Sequence, residues 1–284
     1  MPPRIAIPMP HSSDREYGER ALPQYQRAVS LAGGEAVRIP LDGSPADVIA
    51  LAETCDGVLL PGSNADVDPA RFHQEKSPHT AARDVRREEV DDLLLELAYS
   101  RSKPVLGICY GLQSLNVFRK GSLVQHIPDF LPEATRTKVN HEAGRTVRVA
   151  HKVLMDPHSR LARMIADGVS AGVIANPPRI SANEENREGH GFSRAHKGAG
   201  TDWASAASGS RLVVPVNSSH HQSADTIGEG LRIVARCPED GIIEALEGTA
   251  PDHFVLAVQW HPERSVDDDE CSRLAFRALI EAAG

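Results

Sequence analysis

Aromatic side chains are scarce in this sequence, at 4% of residues, and no apolar run approaches the roughly 18–20 residues needed to span a bilayer. No membrane-spanning helix is therefore expected. The opening stretch MPPRIAIPMPHSS has no basic segment leading into a long apolar one, so a secretory signal is not expected either, and the location to expect is cytoplasmic. Positive charge is also in short supply. With 31 Lys+Arg against 39 Asp+Glu the formal charge is −8, a field that repels phosphate backbones and anionic lipid and argues against nucleic-acid and membrane partners. The four cysteines, Cys55, Cys109, Cys237 and Cys271, form no CxxC pair, which argues against a zinc site and fits a reducing compartment. No internal repeat is visible. What remains is ordinary: 40% apolar and 25% charged residues over 284 positions, enough for one large domain or two small ones with a core that needs no disulfide.

The first 120 residues alternate strand-like and helix-like segments. Arg4 to Pro8 suits a buried strand, and Leu22, Tyr25, Ala28, Val29 and Ala32 recur at helical spacing before Gly33 and Gly34 stop the helix. A second strand is expected over Ala36 to Ile39. Ser44, Pro45 and Asp47 then read as an N-cap, a first-turn proline and a capping carboxylate that open a helix to about Cys55. Gly57 to Leu60 reads as a strand, Pro61 to about Asp84 as a turn-rich loop, Val90 to Ala98 as a helix and Lys103 to Cys109 as the next strand. Such alternation predicts βαβ units and a parallel sheet covered on both faces. Arg211 to Val216, Leu231 to Ala235, Gly241 to Leu246 and Phe254 to Trp260 predict further strands on the same sheet, closed by a helix over about Asp269 to Ala282. The segment 177–210, rich in Gly, Ala, Ser, Asn and Arg, reads as a long surface loop.

Three local signals carry chemistry. Gly107-Ile108-Cys109-Tyr110-Gly111 lies between an apolar strand and a helical segment, the G-x-nucleophile-x-G arrangement in which small neighbours let the chain turn sharply around an exposed side chain. A helix N-terminus there favours thiolate over thiol. By itself the pentapeptide fits a packing cysteine in an ordinary turn equally well. The predicted strand to Trp260 ends in His261-Pro262-Glu263, a base with a carboxylate two residues on, at the same sheet edge as Cys109. The loop Pro61-Gly62-Ser63-Asn64-Ala65-Asp66-Val67-Asp68-Pro69 also follows a strand and offers backbone N–H groups to an oxyanion, although alone it reads as a plain turn. Asp66 and Asp68 lack nearby ligands to complete a metal site.

The segments PGSNADVDP, PVLGICYGLQSLN, VNSSHHQ and VQWHPE, in that order and spacing, resemble the class I glutamine amidotransferase superfamily, and within it the γ-glutamyl hydrolases typified by γ-glutamyl-γ-aminobutyrate hydrolase. The resemblance covers most of the chain. It implies an α/β, three-layer, flavodoxin-like amidotransferase fold with a mostly parallel central sheet and a nucleophile elbow, forming a single domain over residues 1–284 with a loop insertion at about 169–210. It further implies Cys109 as nucleophile, His261 as base and later acid, and Glu263 as orienting carboxylate, with the amides of Ser63 and Tyr110 as oxyanion hole. Gly62, Gln113, Ser219 and His220 would bind substrate. The adjacent His220 and His221 would point to opposite faces of a strand, against a shared metal. The implied reaction is hydrolysis of a γ-glutamyl amide, such as γ-glutamyl-GABA, to glutamate and an amine through a γ-glutamyl thioester, as in polyamine or GABA catabolism, with no metal or organic cofactor. The partner is a small γ-glutamyl substrate, and the oligomeric state stays open, a homodimer included.

This sequence departs from the family pattern at Ser63, which replaces the second glycine of Pro-Gly-Gly and is tolerated only at negative φ. Lys120 stands where the elbow helix commonly ends in a glycine pair. Tyr110 takes the place of the arginine common in γ-glutamyl-GABA hydrolases and is similar to glutaminase domains, so a glutaminase subunit feeding ammonia to a separate synthase is the alternative. The motifs occupy residues 5 to 264, so that alternative requires a partner chain.

Overall fold

A computed structural model of the chain describes residues 1–171, 174, 179–181 and 211–284. In chain order its elements are β1 (Arg4–Pro8), α1 (Arg15–Leu31), β2 (Glu35–Ile39), α2 (Pro45–Glu53), β3 (Gly57–Leu60), α3 (Val85–Arg101), β4 (Val105–Ile108), α4 (Tyr110–Phe118), β5 (Leu123–Val124), α5 (Ile127–Phe130), α6 (Glu133–Arg136), β6 (His151–Met155), α7 (Arg160–Ser170), β7 (Arg179–Ser181), β8 (Arg211–Val216), β9 (Ser223–Ala224), β10 (Leu231–Arg236), β11 (Ile243–Gly248), β12 (Val255–Val258) and α8 (Glu270–Ala283). Among the described residues the main sheet has ten strands in the order β2-β1-β3-β4-β12-β11-β10-β6-β8-β7. Strands β2, β1, β3, β4 and β12 run parallel, and β11 to β7 extend the sheet in antiparallel fashion.

The parallel half is an α/β sandwich because its strands alternate two apolar faces. Ile5, Ile7, Leu59, Leu106, Ile108, Leu256 and Val258 point to one side, where Tyr25 and Val29 of α1 and Phe276 and Leu279 of α8 cover them. Ala6, Val58, Leu60, Val105 and Ala257 point to the other, against Leu94 and Leu95 of α3 and Leu112 and Leu115 of α4. Burial on both faces explains why GVLL, VLGI and VLAV are continuous apolar runs.

Register brings the strand ends that matter to one edge. Leu60 pairs with Gly107 and Val258 with Ile108, so the residues after β3, β4 and β12 leave the sheet side by side. The Cys109 amide still donates to the Val258 carbonyl at 2.8 Å, tying the elbow to the strand that leads to His261.

The expected elements are present, with differences at their bounds and between them. Helix α1 begins at Arg15, capped by Asp14, and runs through Pro23. The loop after β3 contains a short 3-10 turn, Pro69–Phe72. Strand β11 is Ile243–Gly248, two residues later than the predicted start. The pair β6 and α7 occupies a stretch where no element was predicted. Within the expected loop at 169–210, Val169 and Ser170 finish α7 and Arg179–Ser181 form β7, and most of the rest lies outside the described residues. No described helix is long and apolar enough to cross a membrane.

Candidate active site

Cys109 sits between β4 and α4 with φ 53° and ψ −105°, a conformation that L residues avoid and that costs about 1–3 kcal/mol. Two glycines make the turn sterically feasible. A Cβ on Gly107 would lie 2.9 Å from the Gly111 carbonyl carbon and oxygen, and one on Gly111 would lie 2.2 Å from the Leu60 carbonyl oxygen. The sharp turn thus requires α4 to start in contact with the end of β3, beside the Pro61–Ser63 loop.

His261 faces this cysteine. A Cβ placed on Gly62 would lie 3.2 Å from His261 Cε1 and 3.7 Å from Cys109 Cβ, so the two side chains flank that glycine. His261 Nδ1 lies 2.8 Å from Glu263 Oε1, and both residues are buried. Burial by itself would depress the imidazole pKa, but the neighbouring Glu263 carboxylate and Cys109 sulfur outweigh it and raise His261 to about 9. Burial likewise works to raise Glu263, yet the facing imidazolium holds its carboxyl below the usual range. Asn217 fixes the histidine backbone on both sides: its Oδ1 accepts the His261 N–H at 3.0 Å and its Nδ2 donates to the His261 carbonyl at 2.8 Å.

Among the described residues, neither the Ser63 nor the Tyr110 amide has a hydrogen-bond acceptor, which leaves both N–H groups for an incoming oxygen. Ser63 meets the condition for replacing glycine, since its φ is not positive. The preceding Gly62 is placed differently from expectation. Its N–H donates to the Tyr25 hydroxyl at 3.0 Å, so it holds the loop and has no free amide for a substrate. One residue earlier, the Pro61 carbonyl accepts from Arg87 Nη2 at 2.7 Å. Arg87 is fully buried, paired with Asp91 at 2.7 Å, bonded to the Pro10 carbonyl at 3.0 Å and set 4.9 Å over the Tyr110 ring. The Tyr110 side chain therefore packs inward and does not line the cleft.

A cleft of about 350 Å³ opens over Cys109, lined among others by Ser63, the expected oxyanion residue, and by Gln113, Ser219 and His220, three of the expected substrate residues, which thus border one space. Gln113 Nε2 lies 3.4 Å from both the Gln222 carbonyl and Gln259 Oε1. The segment Asn217–Gln222 is a loop, and its two histidines do diverge: His221 approaches Asp66 at 3.2 Å, while His220 turns inward toward Glu244 at 3.6 Å. At the rim, Arg145 pairs with Glu142 at 3.0 Å and lines the cleft. Asp66 accepts from the Ala81 amide and Asp68 pairs with Arg83, so both of these carboxylates have protein partners.

The groups that sequence reasoning missed are Tyr25, Arg87 and Asn217. Arg87 and Asp91 stand four apart on a helix, a visible pair, but nothing in their spacing says that they are buried beneath the loop. Asn217 opens the NSSHHQ segment, and nothing in that motif says that it brackets the His261 backbone.

A strained cysteine, a buried histidine paired with a carboxylate and two free amides make an arrangement chemically suited to acyl transfer. The sequence matches the Peptidase C26 family over residues 5–175 and 190–263. It is 30% identical over 265 residues to a Rickettsia prowazekii protein named for its likeness to glutamine amidotransferases, covering 91% of this chain and 87% of that one. It is 26% identical over 285 residues to the γ-glutamyl-γ-aminobutyrate hydrolase of Escherichia coli K12, covering 99% and 93%. Among solved structures, the glutaminase domain of Trypanosoma brucei CTPS superposes with a TM-score of 0.51 at 15% identity over 98% of this chain and 93% of that one, a likeness of fold.

Proposed function

The chain belongs to the Peptidase C26 family, and we propose that within it this protein hydrolyses a small γ-glutamyl amide through a covalent thioester on Cys109. The observation that carries this reading is the positive-φ Cys109 facing the buried His261–Glu263 pair. The Cys109 sulfur attacks the γ-carbonyl carbon, and the oxyanion is received by the Ser63 and Tyr110 amides. The C–N bond breaks as His261 gives its proton to the departing amine. Water then attacks the thioester while His261 takes a proton from it, and cleavage of the C–S bond releases glutamate and restores the sulfur. Glu263 keeps the imidazole oriented and stabilises its charged form throughout.

The whole-chain charge of −8 opposes an anionic substrate, so attraction has to be local. Arg145 at the rim, with the inward-facing amides, supplies it in this reading, and its pairing with Glu142 makes it exchangeable for a substrate carboxylate. The E. coli relative named as a γ-glutamyl-γ-aminobutyrate hydrolase supports a γ-glutamyl amine over other amides. The Rickettsia relative named for amidotransferases favours a second reading, a glutaminase subunit that delivers ammonia to a separate synthase. Tyr110 does not bear on that choice, because its side chain is buried under Arg87.

Purified protein assayed on a panel of γ-glutamyl amines and on glutamine, scored by kcat/KM, separates the two. Turnover of a γ-glutamyl amine by the isolated chain is expected. Turnover of glutamine alone, and only after a partner is added, would replace the first reading with the second.

A further inference from the structure

We propose that His141, His151, His220 and Glu244 form a four-coordinate site for a divalent transition metal of the zinc type, buried behind the wall of the cleft. The four residues come from separate places: the turn after α6, the first position of β6, the Asn217–Gln222 loop and β11. All are at least nine-tenths buried, and Glu244 is wholly so. Their ligand atoms, one from each residue, lie within 4.8 Å of one another.

The three distances from the carboxylate match the edges of a tetrahedron. Glu244 Oε1 stands 3.1 Å from His141 Nδ1, 3.3 Å from His151 Nε2 and 3.6 Å from His220 Nε2. Tetrahedral zinc at metal–ligand distances of roughly 2.0–2.1 Å separates neighbouring ligand atoms by about 3.3 Å. Yet none of these contacts is aligned as a hydrogen bond: the three ring nitrogens and both Glu244 oxygens are buried without a partner among the described residues. Without an ion, a protonated His141 would pair with Glu244 at 3.1 Å, and that N–H would need to point at the oxygen, an alignment that none of the three contacts has. Lone pairs that converge on a common centre leave the pattern seen here.

The far side of each ring is held as metal-bound histidines are held. His141 Nε2 lies 2.8 Å from Asp240 Oδ2, His151 Nδ1 lies 2.9 Å from the Lys152 carbonyl, and His220 Nδ1 lies 2.8 Å from the Gln222 carbonyl. Each ring can thus donate its N–H outward, which fixes the tautomer that turns a bare nitrogen inward. Charge also closes, since a dication is balanced by the Glu244 and Asp240 carboxylates. A buried carboxylate without hydrogen bonds is otherwise expensive. His220 lines the cleft and so gives the ion an entry path.

Such an ion would hold the Ser219–Gln222 wall of the cleft to β6 and β11, a structural role separate from the Cys109 chemistry and independent of which amide is hydrolysed. His79, His126 and Asp129 also gather, the two histidines at the cleft rim, but that cluster is at least partly exposed.

The test is a titration of chelator-stripped, full-length protein with Co²⁺ and then Zn²⁺. One Co²⁺ per chain with the intense visible absorption of four-coordinate cobalt is expected, displaced by Zn²⁺, and Tm rises by about 5 °C or more at roughly 100-fold excess over Kd. Glu244→Gln and His151→Gln each lose the absorption and the Tm shift, while His79→Gln keeps both. No four-coordinate cobalt signal in the unmutated chain overturns the proposal whether or not the variants fold. A signal that survives Glu244→Gln, or disappears in His79→Gln, overturns it as well.

Discussion

Tyr25→Phe removes one oxygen atom far from the reacting centre in sequence and should be felt both in stability and in turnover. The hydroxyl is the acceptor for the Gly62 N–H at 3.0 Å, in a residue that is only 2% exposed. Burial also pushes the Tyr25 pKa well above its ordinary value, so the group acts as a neutral hydroxyl at any working pH. Without it a buried amide has no partner, which costs about 1–3 kcal/mol. For a chain of this size that corresponds to a Tm lower by roughly 2–10 °C. The kinetic effect follows from Ser63, the next residue, whose amide is one of the two proposed oxyanion donors. Complete loss of one such donor costs about 10²–10³ in kcat, and a loosened loop should lose a fraction of that, on the order of 10-fold. The loss should fall on kcat with KM little changed, because the contact strengthens only in the transition state. Thermal melts and steady-state kinetics on a γ-glutamyl amide measure both. Wild-type Tm and kcat together would refute the idea that this hydroxyl holds the loop, and a lower Tm with unchanged kcat would remove Ser63 from the oxyanion hole.

Cys109→Ala should abolish hydrolysis while leaving a cooperative thermal melt, and substantial residual turnover would mean that another residue is the nucleophile. Gly111→Ala drives a Cβ to 2.2 Å from the Leu60 carbonyl oxygen, a backbone atom that cannot rotate away, so α4 must shift; a stability loss of about 3 kcal/mol and a fall of 10²-fold or more in kcat are expected from denaturation and activity assays. His261 is raised from 6.5 to about 9, so its charged form stabilises the fold fully below about pH 6.5, and that contribution is lost as pH rises through about 9. The kcat/KM profile should fall over the same upper window, as the proton destined for the leaving amine is lost, and a profile still climbing there would contradict this role. Lys120 has φ 69° while closing α4, with Lys120 N–H donating to Val117 and Gly121 N–H to Asn116 in a Schellman arrangement; Lys120→Gly should raise stability by about 0.5–1 kcal/mol in a denaturant titration.

What could be read from the sequence was what is encoded locally. GVLL, VLGI and VLAV announce strands because burial on both faces removes every polar position, and Ser44-Pro45-Asp47 announces a helix start because the capping atoms are three residues apart and do form the reciprocal pair. The grouping of Cys109, His261 and Glu263 was legible for the same reason: each lies just beyond an apolar strand, and the histidine and carboxylate are two residues apart. Helix α1 is read from Leu22 because the apolar spacing starts there, whereas Asp14 caps the chain about two turns earlier. The supports of the site were illegible because their contacts are long-range. Tyr25 meets Gly62 across 37 residues, Arg87 meets Pro61 across 26, and Asn217 meets His261 across 44. No period or motif reports such pairings before the sheet register is known.

That division has a physical basis. A cysteine at φ 53° persists only if its surroundings fix it more strongly than it strains them. Steric exclusion does part of this, through Gly107 and Gly111 packed against backbone, and buried polar groups do the rest. The Pro61–Ser63 loop is held by a hydroxyl from α1 and a guanidinium from α3, while the loop after β12 is held by an amide from beyond β8. Each of these groups would be costly to bury alone, and each is satisfied only when several distant elements are in place together. The geometry of the site is therefore a property of the assembled fold, and a substitution at Tyr25, Arg87 or Asn217 should impair turnover although none of these side chains lines the cleft.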